Sequence, residues 1–217
     1  MTQRSDQLRI TEIFFSLQGE SRTVGMPTVF IRLTGCPLRC GYCDTSYAFQ
    51  GGEWRTIDDI VQQVSAFQTK FVTVTGGEPL AQKNCLSLLS ALCDLGYHVS
   101  LETSGAIDIS GVDKRVSRVM DIKTPGSGEV EKNCLANIQY LQSQDELKFV
   151  ICDRQDYEWA REMLMQQRLN DRCDVLFSPS AGQVPARQLA DWIIEDQLPV
   201  RFQLQLHKIL WGDEPGR

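Results

Sequence analysis

A chain of 217 residues, 42% of them hydrophobic, is long enough to bury one proper core, and nothing in it reads as a linker or a repeat. Its formal charge of −6, with acidic and basic residues interspersed, argues against a face that displaces counterions from nucleic acid. The opening MTQRSDQLRI lacks the apolar stretch of a signal peptide and no apolar run is long enough to span a bilayer, so the expected address is the cytoplasm, with neither nucleic acid nor membrane as a partner.

Short β-rich runs are predicted at residues 10–15, 28–34, 71–75, 99–103, 116–122, 147–151, 175–177 and 202–206. Helical periodicity falls between many of them. In 57–67 the residues Ile57, Ile60, Val61, Val64 and Phe67 share a face, and Leu86, Leu89, Leu92 and Leu95 form a similar stripe that Gly96 ends. Helices are also expected over 157–167 and 185–195, the second with Pro185 in its first turn. Alternating strand and helix implies a parallel sheet with right-handed crossovers. Eight full β/α units take about 250 residues. The expected architecture is therefore α/β: a single domain over 1–217, built as an incomplete or modified barrel with a short C-terminal tail.

The unusual residues gather at the carboxyl ends of these strands, the face on which α/β sites assemble. A cysteine loop follows 28–34, Gly76-Gly77-Glu78-Pro79 follows 71–75, and Glu102-Thr103-Ser104-Gly105 ends the next strand. Asp121-Ile122-Lys123, Ser178-Pro179 and Gln205-Leu206-His207 close later ones. The site is expected there.

Five of the eight cysteines, Cys85, Cys93, Cys134, Cys152 and Cys173, are scattered through apolar or helical stretches and read as small buried hydrophobes. Cys36, Cys40 and Cys43 stand apart, in CPLRCGYCDT, at spacing C-x3-C-x2-C. Four readings compete. A redox disulfide gives the third thiol no role, and a structural zinc ion wants four ligands where His98 and His207 stand at no finger spacing. Three idle core thiols would not suit a loop flanked by Gly and Pro. A 4Fe–4S cluster normally takes four thiolates; held by three, it keeps one iron open for a substrate or cofactor, which accounts for the missing ligand.

That spacing, with Tyr42 before the last cysteine, resembles the signature of the radical S-adenosylmethionine superfamily. Thr75-Gly76-Gly77-Glu78-Pro79 is similar to its glycine-rich segment. The resemblance implies that the open iron chelates the amino and carboxylate groups of S-adenosylmethionine, and that an electron from the cluster cleaves it to methionine and a 5′-deoxyadenosyl radical. Leu17-Gln18-Gly19-Glu20, Phe30-Ile31-Arg32-Leu33, Cys43-Asp44-Thr45, Glu102-Thr103-Ser104-Gly105 and Leu206-His207-Lys208 narrow the likeness to the family of 7-carboxy-7-deazaguanine synthases, from about residue 10 to residue 208. The implied reaction converts 6-carboxy-5,6,7,8-tetrahydropterin to 7-carboxy-7-deazaguanine with loss of ammonia, on the way to queuosine and related deazapurines. The implied fold is a modified, incomplete radical S-adenosylmethionine barrel.

By this resemblance Cys36, Cys40 and Cys43 hold the cluster, and Tyr42, Cys43, Asp44, Gly77, Glu78, Ser104 and Lys123 line the adenosylmethionine pocket. Thr45 gives its hydroxyl to Mg²⁺, a hard ion suited to oxygen ligands. Leu17, Gln18, Gly19, Arg32, Thr75 and His207 form the pterin pocket, where the fork of Arg32 suits a carboxylate. A flavodoxin-like electron donor and a homodimer are also implied. Plainer readings stand beside these: Arg32 as an ion-pair partner, His207 as a core histidine, Thr45 and Glu78 as caps. Relatives commonly carry Ser-Pro-Lys where this chain has Asp-Ile-Lys, and glycine where it has Ser21. Two rivals remain, a glycyl-radical-enzyme activase and an electron carrier or sensor in which a remote residue such as Cys173 supplies a fourth ligand.

Overall fold

The computed structural model describes residues 6–212 together with Glu214 and Gly216. The other residues of the opening and of the tail, Asp213, Pro215 and Arg217 among them, lie outside the described residues.

The frame is a nine-stranded open sheet in the order β3-β1-β2-β4-β5-β6-β7-β8-β9. Its strands are β1 (Gln7–Leu17), β2 (Pro27–Leu33), β3 (Glu53–Thr56), β4 (Phe71–Gly76), β5 (His98–Thr103), β6 (Ser117–Asp121), β7 (Glu146–Ile151), β8 (Asp174–Pro179) and β9 (Arg201–Phe202). From β2 to β9 every neighbouring pair is parallel. One face of the parallel strands is packed under the helices: Ile31, Val74, Leu101, Leu147, Phe149 and Phe177 lie in one core, while the alternate residues Arg32, Thr75, Glu102 and Lys148 line a cavity on the other face.

The helices are α1 (Ile57–Ser65), α2 (Cys85–Asp94), α3 (Arg154–Gln167), α4 (Ala186–Glu195) and α5 (Leu206–Trp211). Thr56 starts α1 with a reciprocal capping box to Asp59, and Ile60 and Val64 bury its inner face as the periodicity anticipated. On α2 the predicted stripe needs correction. Cys85, Leu88, Leu89 and Leu92 are the buried face, whereas Leu86 and Leu95 are exposed, Leu95 having already left the helix. Gly96 does end it, at φ 80°. Among the scattered cysteines Cys134 is half-buried rather than buried; the other four are buried.

Three further corrections concern the frame. β1 runs antiparallel to both β2 and β3; for β2 the reason is that residues 18–26 form a turn with no room for a crossover helix. β3 itself was not anticipated: Glu-Trp-Arg-Thr is short and polar, and it serves as an edge. The last expected strand, 202–206, shrinks to Arg201–Phe202, paired with β8 at two positions. Leu206 N then donates to Gly19 O at 2.9 Å, turning the chain across the top of the sheet and into α5. No α-helix is described between β5 and β6 or between β6 and β7, only short 3-10 turns in the second, so the fold fits its length.

In the 18–26 turn Ser21 is 2% exposed and has φ 67°. A non-glycine residue in this left-handed region carries a cost of about 1–2 kcal/mol, part of which glycine would return as backbone entropy on folding. Ser21→Gly is therefore expected to stabilise the protein by about 0.5 kcal/mol, read as a higher denaturant midpoint at unchanged slope.

Candidate functional site

The carboxyl ends of the parallel strands surround a cavity of about 740 Å³, and Cys36, Cys40 and Cys43 lie in its wall as free, half-buried thiols. Their loop is clamped on two sides. Gly35 O accepts from Glu78 N at 2.8 Å, and a Cβ on Gly77 would stand 2.3 Å from Gly35 O and 2.8 Å from Cys36 Cβ. Glycine at 77 is thus what lets the β4 end lie flush against the cysteine loop. On the other side Gly41 N donates to Ser127 O at 3.0 Å and Arg39 N to Glu129 Oε1 at 2.6 Å.

The donor set fits an iron–sulfur cluster. Three soft thiols share one loop and one cavity, and burial pushes the Cys36 and Cys40 thiols above the ordinary range, so a bound cationic centre is what would hold them as thiolates. Among the described residues no three His, Cys, Asp or Glu side chains are grouped to hold a single ion. Cys173 lies in the core cluster and not in the cavity wall, which removes that cysteine as the fourth ligand of a carrier.

Lys123 Nζ lies 5.8 Å from the centre of the Tyr42 ring and 2.8 Å from Asp121 Oδ2. Burial alone would raise the Asp121 carboxyl, but Lys123 and Lys148 outweigh it and hold it below the usual range. Glu78 is the one sequence-predicted residue outside the cavity wall. It is fully buried behind the wall. Its carboxylate accepts from Ser104 N at 2.6 Å, Ser104 Oγ at 2.5 Å, Thr103 Oγ1 at 2.9 Å and Leu80 N at 2.9 Å. The Glu78 side chain therefore caps the turn at Pro79 and holds the β5 end, where Ser104 lines the cavity.

Deeper along the same strands Gln18 Nε2 donates to Thr73 Oγ1 at 3.0 Å and reaches Glu102 Oε1 at 3.5 Å, while Thr75 Oγ1 donates to Glu102 Oε2 at 2.9 Å. Arg32 is the ion-pair partner its plainer reading allowed, with Nε 2.7 Å from Glu12 Oε1, and it also lines the cavity. His207, on α5, packs so closely on residue 19 that a Cβ at Gly19 would meet Nδ1 at 2.2 Å; burial lowers its pKa. Thr45 makes no side-chain cap, which corrects that reading, and its hydroxyl instead donates to Asp44 Oδ1 at 2.8 Å. Lys208 and Thr45, against burial, keep the Asp44 carboxyl low.

Sequence reasoning missed several lining residues. Glu20, Glu102 and Gln205 stood in quoted segments without a role, and Lys148 went unremarked. Lys148 had a signal: in Leu-Lys-Phe-Val-Ile it breaks an apolar run on the face opposite Leu147, Phe149 and Ile151. Burial raises the Glu102 carboxyl, with the Glu20 charge adding to it, against Lys148 and Thr75.

A family model described as the Radical SAM superfamily matches residues 30–122. The chain is 46% identical to the 7-carboxy-7-deazaguanine synthase of Chlorobaculum tepidum over 210 residues, covering 95% of this chain and 96% of that one. It is 41% identical to the enzyme of the same name from Koribacter versatilis, covering 95% and 98%. This chain belongs to the 7-carboxy-7-deazaguanine synthase family. The crystal structure of QueE from Escherichia coli shares its fold, with a TM-score of 0.73 at 24% identity over 93% of this chain and 95% of that one. As a radical S-adenosylmethionine enzyme of this family, the protein works with a 4Fe–4S cluster and S-adenosylmethionine. Among the described residues no helix is long and apolar enough to cross a membrane.

Proposed function

We propose that this chain converts 6-carboxy-5,6,7,8-tetrahydropterin to 7-carboxy-7-deazaguanine with release of ammonia, as a carbon–nitrogen lyase of queuosine and 7-deazapurine biosynthesis. One observation carries the reading: the thiols of the cysteine loop and the polar residues of the expected pterin pocket line a single cavity. When bound, the cluster and S-adenosylmethionine supply the one-electron chemistry that starts the rearrangement.

The chain's own residues bind and orient. Cys36, Cys40 and Cys43 hold the cluster. Tyr42, Asp44, Gly77, Ser104 and Lys123 surround S-adenosylmethionine, with Glu78 supporting Ser104 from behind. Gln18, Gly19, Thr75 and His207 read the edge of a flat heterocycle beside Leu17, and Arg32 faces the substrate carboxylate. Thr45, beside Asp44, would give an oxygen to Mg²⁺, a hard ion that would supply charge stabilisation for a carboxylate-bearing substrate. The protein acts in the cytoplasm as a homodimer over one domain, 1–217, and draws electrons from a flavodoxin-like donor.

Under strict anaerobiosis, with the reconstituted protein, S-adenosylmethionine, reductant, Mg²⁺ and the carboxypterin, mass spectrometry should find 7-carboxy-7-deazaguanine. If methionine and 5′-deoxyadenosine accumulate without it, the substrate is another molecule. Thr45→Ala is expected to raise the Mg²⁺ concentration at half-maximal activity by about tenfold. Full activity of that variant without Mg²⁺ would remove Thr45 from the metal site.

A further inference from the structure

Lys148 is a charged residue on a central strand, flanked by the fully buried Leu147 and Phe149. Its side chain turns into the cavity, where it is 12% exposed. The ammonium reaches two carboxylates from distant parts of the chain, Glu20 Oε2 at 2.5 Å and Asp121 Oδ1 at 3.4 Å. Asp121 is its partner in the β6–β7 ladder, and Lys148 O accepts from Ile122 N at 2.9 Å, so the strand end is doubly fixed to Lys148.

Each carboxylate leads to one half of the cavity. Glu20 accepts from Gln205 Nε2 at 2.7 Å, and its N–H donates to Gln18 Oε1 at 3.1 Å, which ties it to the expected pterin side. The other oxygen of Asp121 holds Lys123, beside Tyr42 and the cysteine loop. Replacing a buried ion pair as a whole by apolar groups is often neutral or stabilising, whereas removing one partner alone is destabilising, so the test of this lysine needs a readout that stability does not move. Burial alone would lower its pKa, but Asp121, Glu20 and Glu102 hold it well above the usual lysine range, so it stays charged and is no proton shuttle.

We infer that Lys148 is a positioning residue: it locks the turn at residues 18–20 against the β6 end, so that the pterin half and the adenosylmethionine half of the cavity keep one relative geometry. The inference rests on the function proposed above. Small displacements of bound reactants can cost about 100-fold in rate.

The experiment uses the reconstituted holoenzyme with Lys148→Met and Lys148→Arg. Lys148→Met should keep its cluster and the change that S-adenosylmethionine makes in the reduced cluster's EPR spectrum. Its KM for the carboxypterin should rise by about tenfold or more, and 5′-deoxyadenosine should form in excess of deazaguanine. Lys148→Arg should recover most of both. Because Lys148 acts through Glu20, Lys148→Met should also change KM less in a Glu20→Gln background, where no unpaired carboxylate is left at that position. Unchanged KM and product ratio in Lys148→Met, no rescue by arginine, or additive effects in the double variant overturn the inference. A wild-type protein that makes no deazaguanine overturns the functional reading instead.

Discussion

Cys40→Ala is expected to abolish product formation and to leave the reconstituted protein without an intact 4Fe–4S cluster. Losing a residue that merely supports a metal ligand costs about 10–100-fold in affinity or activity; losing one of only three protein ligands should cost more. No replacement stands by, because none of the other five cysteines lines the cavity. The loop itself should survive, since Gly41 and Arg39 stay bonded through their backbone N–H groups to Ser127 and Glu129. Iron and sulfide content, with the EPR spectrum of the reduced protein, checks this: near-stoichiometric cluster and residual turnover would mean that Cys40 is not a ligand.

Glu78→Gln is expected to destabilise the protein by about 3 kcal/mol. Glu78 is 0% exposed and accepts two backbone N–H groups and two hydroxyls, among them Ser104 N–H at 2.6 Å. A carboxamide offers one acceptor oxygen and turns an NH₂ toward groups that are themselves donors. Each buried group left unsatisfied costs about 1–3 kcal/mol. Denaturant unfolding at constant slope measures the effect. The same change should loosen Ser104 in the cavity wall and raise the KM for S-adenosylmethionine by about tenfold. A loss below about 0.5 kcal/mol, the range of ordinary surface substitutions, would show that the cluster of bonds around this carboxylate does not hold the strand end.

The gathering of the candidate residues at one cavity was more legible in the sequence than the pairing of the strands that carry them. Cys36, Cys40, Cys43, Gly77, Ser104 and Lys123 are tied to local motifs, and a motif read along the chain needs no knowledge of which strands are neighbours. Glu78 belongs to such a motif too, yet its side chain turns behind the wall, because the buried N–H and hydroxyl groups at Thr103 and Ser104 need an acceptor. Those partners are 25 and 26 residues away, a distance that spacing does not reveal. The antiparallel β1 and the helix at 206–211 escaped for a related reason. Pairing direction is set by what the 18–26 turn permits, and the end of β9 by a bond to Gly19 on the far side of the sheet. Lys148 could have been found by asking why a lysine interrupts an otherwise apolar central strand.

The central claim is that three thiolates of one loop would hold the cluster and leave one iron free to take S-adenosylmethionine. The measurement that tests it is the EPR spectrum of the reduced, reconstituted protein before and after addition of S-adenosylmethionine. A three-cysteine cluster with an accessible iron predicts a clear change in the signal on addition, without loss of cluster. A spectrum indifferent to S-adenosylmethionine, from protein with its full complement of iron and sulfide, would mean a closed four-ligand cluster and would contradict the account.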